Sequence, residues 1–180
     1  MGGESGGERG RFERIWIRAG RATREGGMLY RNRSEAIEVR VHPEFSLSRS
    51  SLQEGRYVFT YDVRIENHGQ DPVRLLYRHW HIHDSNGEDR EIGGEGVVGA
   101  QPLLLPGAAH DYRSYCVLGS PMGAMDGHYV FAKEGGDDFR VPIPHFPLVG
   151  PIMAPGGPIG GDPDGIRDED DESVRDAGWN

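Results

Sequence analysis

Tyr57-Val-Phe-Thr-Tyr-Asp-Val-Arg-Ile65 alternates along its length: Tyr57, Phe59, Tyr61, Val63 and Ile65 share one side of an extended chain, and Thr60, Asp62 and Arg64 share the other. A period of two marks a β-strand with one face in a core and the other in water. Asn67-His-Gly69 ends the run. Residues 73–84 make the next strand, with the turn signal Asn86-Gly87 after it. The same texture of short apolar and aromatic alternations, broken by Gly, Pro, Asn or Asp, runs from residue 36 to about 148 and places further strands at 36–42, 101–105, 110–117, 128–133 and 139–143. Gly or Pro interrupts every window long enough for a helix. The pattern predicts an antiparallel all-β sandwich of about seven or eight strands.

The rest of the chain does not share this texture. It has 180 residues, 36% of them hydrophobic, with 28 Gly and 12 Pro, a poor composition for one globule filling the whole length. Residues 1–33 carry eight Arg and four Glu and open on a glycine-rich run, so they read as a flexible extension. Within them Phe12, Ile15, Trp16 and Ala19 have helical spacing with Arg11, Arg14, Arg18 and Arg21 opposite, the pattern of a short basic amphipathic helix or of a frayed segment. Met28 is an alternative start, which would leave residues 1–27 outside the native protein. Residues 152–180 are a Gly/Pro linker followed by an acidic stretch with eight acids and two Arg in 162–180, a composition that predicts disorder. The stretch 162–172 is oxygen-rich, but Gly165 comes two positions early for an EF-hand loop, which leaves weak, diffuse Mg²⁺ association. The folded domain is then 34–151.

Composition also excludes functions. The net charge is −9 and the stretch between the tails is itself acidic, which argues against nucleic acid, since such binding needs phosphates neutralised by Lys and Arg. One cysteine allows neither a disulfide framework nor a Cys-rich zinc site. With no apolar run long enough to span a bilayer and a Gly/Arg/Glu-rich beginning, the reading is a cytoplasmic protein without a membrane span, monomer or homodimer.

Three features carry chemistry. Gly94-Glu-Gly-Val-Val-Gly99 has the G-x-G-x-x-G form, but Pro102 and Pro106 forbid the helix whose N-terminus would hold a pyrophosphate. What remains is either a small-anion or pyrophosphate nest built from the amides of Gly94, Gly96, Val97, Val98 and Gly99, or a turn between strands that needs positive φ. In Arg78-His-Trp-His-Ile-His-Asp84, Trp80 and Ile82 point to the core and send His79, His81 and His83 to the opposite face. Neighbouring same-face residues lie about 6.6 Å apart, so two imidazoles can share one Co²⁺ or Zn²⁺ while the outer two cannot. A further ligand would have to come from a neighbouring strand, with His68, His110 or His128 as candidates; otherwise these are exposed, non-ligating histidines. Cys116, in a strand-like stretch, reads as a buried inert thiol, and there is no G-x-S-x-G elbow or H-E-x-x-H pair. No enzyme emerges.

Arg78-His-Trp, Gly94-Glu-Gly-Val-Val-Gly99, Gln101-Pro-Leu, Leu105-Pro-Gly107, Tyr112-x-Ser114, Met122-Gly-Ala-Met-Asp-Gly-His-Tyr129 and Val141-Pro-Ile-Pro-His-Phe-Pro-Leu148, in this order and spacing, resemble the ApaG domain over about 116 residues, 36–151. The resemblance implies an immunoglobulin or fibronectin III-like β-sandwich. For function it implies a non-enzymatic binding module with an unidentified protein partner. Bacterial members are linked genetically to cobalt resistance and magnesium efflux, and eukaryotic ones carry the domain beside F-box or DNA-polymerase-associated modules. Any role in Co²⁺ or Mg²⁺ homeostasis would therefore be indirect, and no cofactor is established. The alternatives are a metal binder using the histidines of the 79–83 strand and a nucleotide- or pyrophosphate-acting protein using the glycine loop. His81 and His83 stand where relatives commonly have other residues, so a metal site there would be this protein's own.

Overall fold

A computed structural model describes residues 21–22, 27–133 and 135–151 of the chain. The amphipathic stretch 11–19, the linker and the acidic segment 152–180 lie outside the described residues. Among the described residues ten strands form two sheets, and eight of the ten have seven or more residues: β1 (Arg21–Ala22), β2 (Met28–Ser34), β3 (Ile37–Phe45), β4 (Tyr57–Asn67), β5 (Val73–Asp84), β6 (Asp89–Glu95), β7 (Leu103–Leu104), β8 (Ala109–Leu118), β9 (Met122–Lys133) and β10 (Asp138–Val149). Every pairing is antiparallel. The first sheet runs β1-β2-β3-β4-β8 and the second β10-β9-β5-β6, with β7 also paired to β5. The architecture is the immunoglobulin or fibronectin III-like sandwich.

β4 lies between β3 and β8 and carries the alternation that predicts it. Tyr57, Phe59, Tyr61, Val63 and Ile65 are buried, and Asp62 and Arg64 turn outward. Its partners repeat the period in register, Val41 opposite Val63 and Phe45 opposite Phe59. Tyr61 meets Trp80 and Phe146 of the second sheet with ring centroids 5.4 and 6.2 Å apart, and Trp80 stands edge-on to Tyr129 and Phe146. Aromatic residues from both sheets thus fill the middle of the core, where each buries a large apolar area and tilted pairs are favourable.

Four differences from the sequence reading have physical causes. Residues 28–33 belong to β2, not to an extension: Tyr30 packs on the core with its ring 6.1 Å from Phe146, and five backbone partners tie the strand to β3. The Arg residues that suggest an extension, Arg31 and Arg33, occupy the exposed side of that strand. β6 carries a single large apolar residue, Ile92, so no alternation announces it; its pairing with β5 through the Asn86-Gly87 turn makes it a strand. β9 begins at Met122, earlier than position 128, because Gly123 and Gly127 are strand residues at close backbone approaches: a Cβ would lie 2.5 Å from the His83 carbonyl oxygen at one and 2.0 Å from the His79 carbonyl oxygen at the other. The 101–105 strand shrinks to Leu103–Leu104, since Pro102 and Pro106 cannot donate to a ladder.

Candidate functional site

β5 organises the site because its two faces do different things. Arg78, Trp80 and Ile82 face the interior, with Trp80 and Ile82 buried, and His79, His81 and His83 face out. The separation predicted for the histidines is present, and each imidazole finds its own carboxylate. His79 Nε2 lies 3.3 Å from Glu91 Oε2, His81 Nδ1 3.6 Å from Asp126 Oδ1, and His83 Nδ1 2.5 Å from Asp89 Oδ1. Of the three candidate neighbours, His128 on β9 stacks on His79 with centroids 5.0 Å apart, whereas His110 is on β8 of the other sheet and His68 follows the end of β4. His145 was not singled out by the sequence; it sits in the β9–β10 bulge with Nδ1 3.1 Å from Asp126 Oδ2. Burial, then the positive charge of Arg140, then His79 hold the His128 imidazole below its ordinary proton affinity. Among the described residues no three or more His, Cys, Asp or Glu side chains form a group that could hold a metal ion.

The glycine motif begins in β6 and ends in a tight turn. β6 and β7 both pair with β5, and the segment between them leaves that edge and returns to it. Gly96 donates its amide to Leu76 O at 2.8 Å, Val97 to Ala100 O at 2.8 Å and Ala100 to Val97 O at 3.0 Å. The Gly96 amide is spent on β5 and those of Val97 and Ala100 on each other, which leaves Val98 and Gly99 at the tip. Val98 and Gly99 both have positive φ, 47° and 78°, as a mirror-image turn requires. Gly96, at φ 57°, has no room for a side chain, since a Cβ would lie 2.1 Å from Ala100 O. The Arg78 guanidinium lies under this loop and donates through Nη1 to Glu95 O at 2.9 Å and Gly96 O at 2.8 Å; Gly94 leaves it space. The loop is therefore a turn with positive φ, held from beneath by Arg78.

Beside that loop the two sheets do not close. β6 and β8 are the outer strands of their sheets on the same side of the sandwich, and a cavity of about 320 Å³ opens between them. Tyr61 and Trp80 form its buried floor, and Arg78, Ile92, Val98, Tyr112, Ser114 and Tyr115 rise around it. Ile92 pairs with Trp80 across the β5–β6 ladder and so faces inward, yet it is 46% exposed; Val98 and Tyr115 are 67% and 60% exposed. At one end Arg90 crosses from β6 to donate to Val117 O on β8. The turn below is pinned by Asp84, 1% exposed, which accepts from the Gly119 amide at 2.6 Å and from the Ser120 hydroxyl. Burial raises the phenols of Tyr61, Tyr112 and Tyr129 above their ordinary range, so they are neutral hydroxyls. Burial also pushes the Cys116 thiol up to about 12, which removes it as a nucleophile. A larger depression on the outer face of the first sheet is lined by charges already paired to one another, Arg113 with Asp62 and Arg64 with Asp111.

Comparison with known proteins assigns the family. A model of the ApaG domain matches residues 47–133, which include all of β4, β5, β6 and the glycine loop. Protein ApaG of Sinorhizobium fredii is 45% identical over 123 residues, 68% of this chain and 95% of that protein. The chain belongs to the ApaG family. Protein ApaG of Xanthomonas oryzae pv. oryzae is 46% identical over 112 residues, 62% of this chain and 88% of the relative. The crystal structure of the putative ApaA protein from Bordetella pertussis superposes with a TM-score of 0.62 at 42% identity, covering 65% of this chain and 95% of that one. The ApaG relatives therefore match over nearly their whole length, and both walls of the cavity, β6 and β8, lie within the residues that the ApaG domain matches.

Proposed function

We propose that the protein is a non-enzymatic binding module whose ligand is a polypeptide segment with an apolar anchor, received in the cleft between β6 and β8. The observation that carries this reading is Ile92: a residue on the inward face of an edge strand, directly opposite buried Trp80, that the described residues leave about half exposed. Half-exposed apolar side chains over an aromatic floor, rimmed by Arg78 and by unpaired strand edges, are the features of a peptide groove. The neutral phenols and the high-pKa thiol supply neither an acid nor a nucleophile at neutral pH, which favours binding over chemistry. On the outer face of the second sheet each histidine meets a separate carboxylate, so a cation would find His–carboxylate pairs spread along the strand, and the cleft is the better-built site. A part in divalent-cation homeostasis would then be exercised through the protein partner.

The test uses anilinonaphthalene sulfonate, an aromatic anion, as the probe. Titrated into the native protein, it should shift the amide resonances of Ile92, Val98, Ser114 and Tyr115, and Ile92→Asp should abolish those shifts while leaving the spectrum of β3 and β10 intact. Shifts confined to the histidine face of β5 and β9 would sink the cleft reading.

A further inference from the structure

We infer that the cleft receives a short extended segment of a partner protein, which adds as an antiparallel strand to the free edge of β6 and carries an acidic side chain two residues before an apolar one. The inference rests on the cleft reading above and adds the chemistry of the ligand.

The edge of β6 is open in a defined phase. Asp84 N donates to Glu88 O and Gly96 N to Leu76 O, both at 2.8 Å, at the two ends of the β5–β6 ladder. Arg90, Ile92 and Gly94 then exchange hydrogen bonds with β5, while Glu91 and Gly93 aim their backbone groups away from it. β6 is the outer strand of its sheet, and among the described residues no backbone group answers Glu91 or Gly93. The edge is also short, because Arg90 crosses to Val117 O at one end and the glycine loop departs at Gly96 at the other. An unpaired strand edge beside an apolar hollow is where a peptide adds a strand.

Arg78 sets the charge of the ligand. Of the arginines whose side chains are described, only Arg40 and Arg78 are not exposed. Arg40 pairs with Glu38 and Glu66, whereas Arg78 meets no carboxylate among the described residues and donates only to the carbonyl oxygens of Glu95 and Gly96. The exposed arginines without a carboxylate stand in water, which screens them, and Arg113, which also lines the cavity, is held by Asp62. Arg78 is half-buried in the wall of an aromatic cavity, where screening is weaker and a carboxylate is worth more.

The guanidinium lies over the inward side of Gly94, where a Cβ would sit 3.1 Å from Nη2 and 3.2 Å from Cζ. A ligand side chain opposite Gly94 therefore faces Arg78, and one opposite Ile92 faces Trp80. These positions are two residues apart along a strand, about 6.6 Å, so one extended segment reaches both. The ligand residue between them, opposite Gly93, turns to the outer face with Glu91 and Glu95 diagonal to it, which favours a basic side chain. An antiparallel segment meets Gly94 first, and the order is acidic, basic, apolar.

The probe is the blocked peptide acetyl-Thr-Glu-Lys-Leu-Thr-amide, titrated into the full isotope-labelled chain. It should shift the amides of Glu91, Ile92, Gly93 and Val98. The same peptide with Gln in place of Glu should bind about tenfold more weakly, because it forfeits the charge-assisted pair with Arg78. A probe methylated on the lysine amide, which removes the donor facing the Gly93 carbonyl, should leave these resonances unmoved. Both comparisons use the parent protein, so neither depends on a variant folding. Equal affinity of the Glu and Gln probes, undiminished binding of the methylated probe, no shift at millimolar probe, or shifts confined to Arg113 and Tyr115 on β8 would each overturn the inference. So would shifts of the β6 amides that grow with protein concentration alone, since a second copy would then be the occupant. If anilinonaphthalene sulfonate still shifts the cleft amides in any of these cases, the cleft reading stands and only its ligand chemistry is wrong; if it does not, both fall.

Discussion

The phenol oxygens of Tyr112 and Tyr129 lie 2.5 Å apart across the gap between the two sheets, one on β8 and the other on β9. Tyr129 is wholly buried, so this hydrogen bond is the partner its hydroxyl requires at that depth, and it fixes the spacing of the sheets just behind the cleft.

Replacing Tyr129 by Phe should therefore cost about 1–2 kcal/mol, because Tyr112 keeps a hydroxyl without its buried partner. In a double-mutant cycle with Tyr112→Phe the two losses should be non-additive by about 1 kcal/mol, the mark of direct coupling. Urea denaturation of the four proteins measures it; additive losses would show that the two hydroxyls act independently.

Cys116 should be silent in the native state. With burial raising the thiol to about 12, the thiolate fraction at pH 8 is about one part in ten thousand. Ellman's reagent should read no free thiol in the native protein and one per chain in guanidinium. Rapid native labelling at pH 8 would contradict the buried placement on β8.

Gly127 should tolerate no side chain. It has φ 153°, and a Cβ would lie 2.0 Å from His79 O and 3.0 Å from the carbonyl carbon. Both neighbours are backbone of β5 and cannot swing away, so Gly127→Ala must break the β5–β9 ladder, with a loss above about 4 kcal/mol. Gly99→Ala, at the solvent-exposed turn with open space around it, should cost only about 1 kcal/mol for the backbone conformation. Thermal melts of the two variants give the contrast.

These residues also show what could be read from the sequence and what could not. β4 was legible because burial on one face and solvent on the other imprint a period of two on side-chain polarity, and the same rule sent His79, His81 and His83 outward from Trp80 and Ile82. The start of β9 was hidden because glycine, the usual turn signal, here answers a close approach to a carbonyl of the neighbouring strand. The cleft was hidden for a different reason. Ile92 sits in Asp89-Arg-Glu-Ile-Gly-Gly-Glu95, where one apolar residue among charges and glycines carries no period, and its exposure depends on β8 ending the opposite sheet. The pairing of His145 with Asp126 likewise comes from a bulge between β9 and β10, a register shift without a local residue pattern.

The last prediction concerns pH. The His128 imidazole is held below the ordinary histidine value of 6.5, first by burial and then by Arg140 and by His79, which stacks on it. The unfolded chain, where His128 titrates normally, therefore binds a proton that the folded chain resists. Stability is fully present above pH 6.5 and declines as pH falls from there toward the lower folded value, since protonation favours the unfolded state. His128→Gln removes the titrating group from this position. Urea midpoints measured between pH 7.5 and pH 5 should fall in the parent protein and fall less in His128→Gln, so the two curves converge or cross on the acid side. Parallel curves would mean that the proton affinity of His128 does not change on folding.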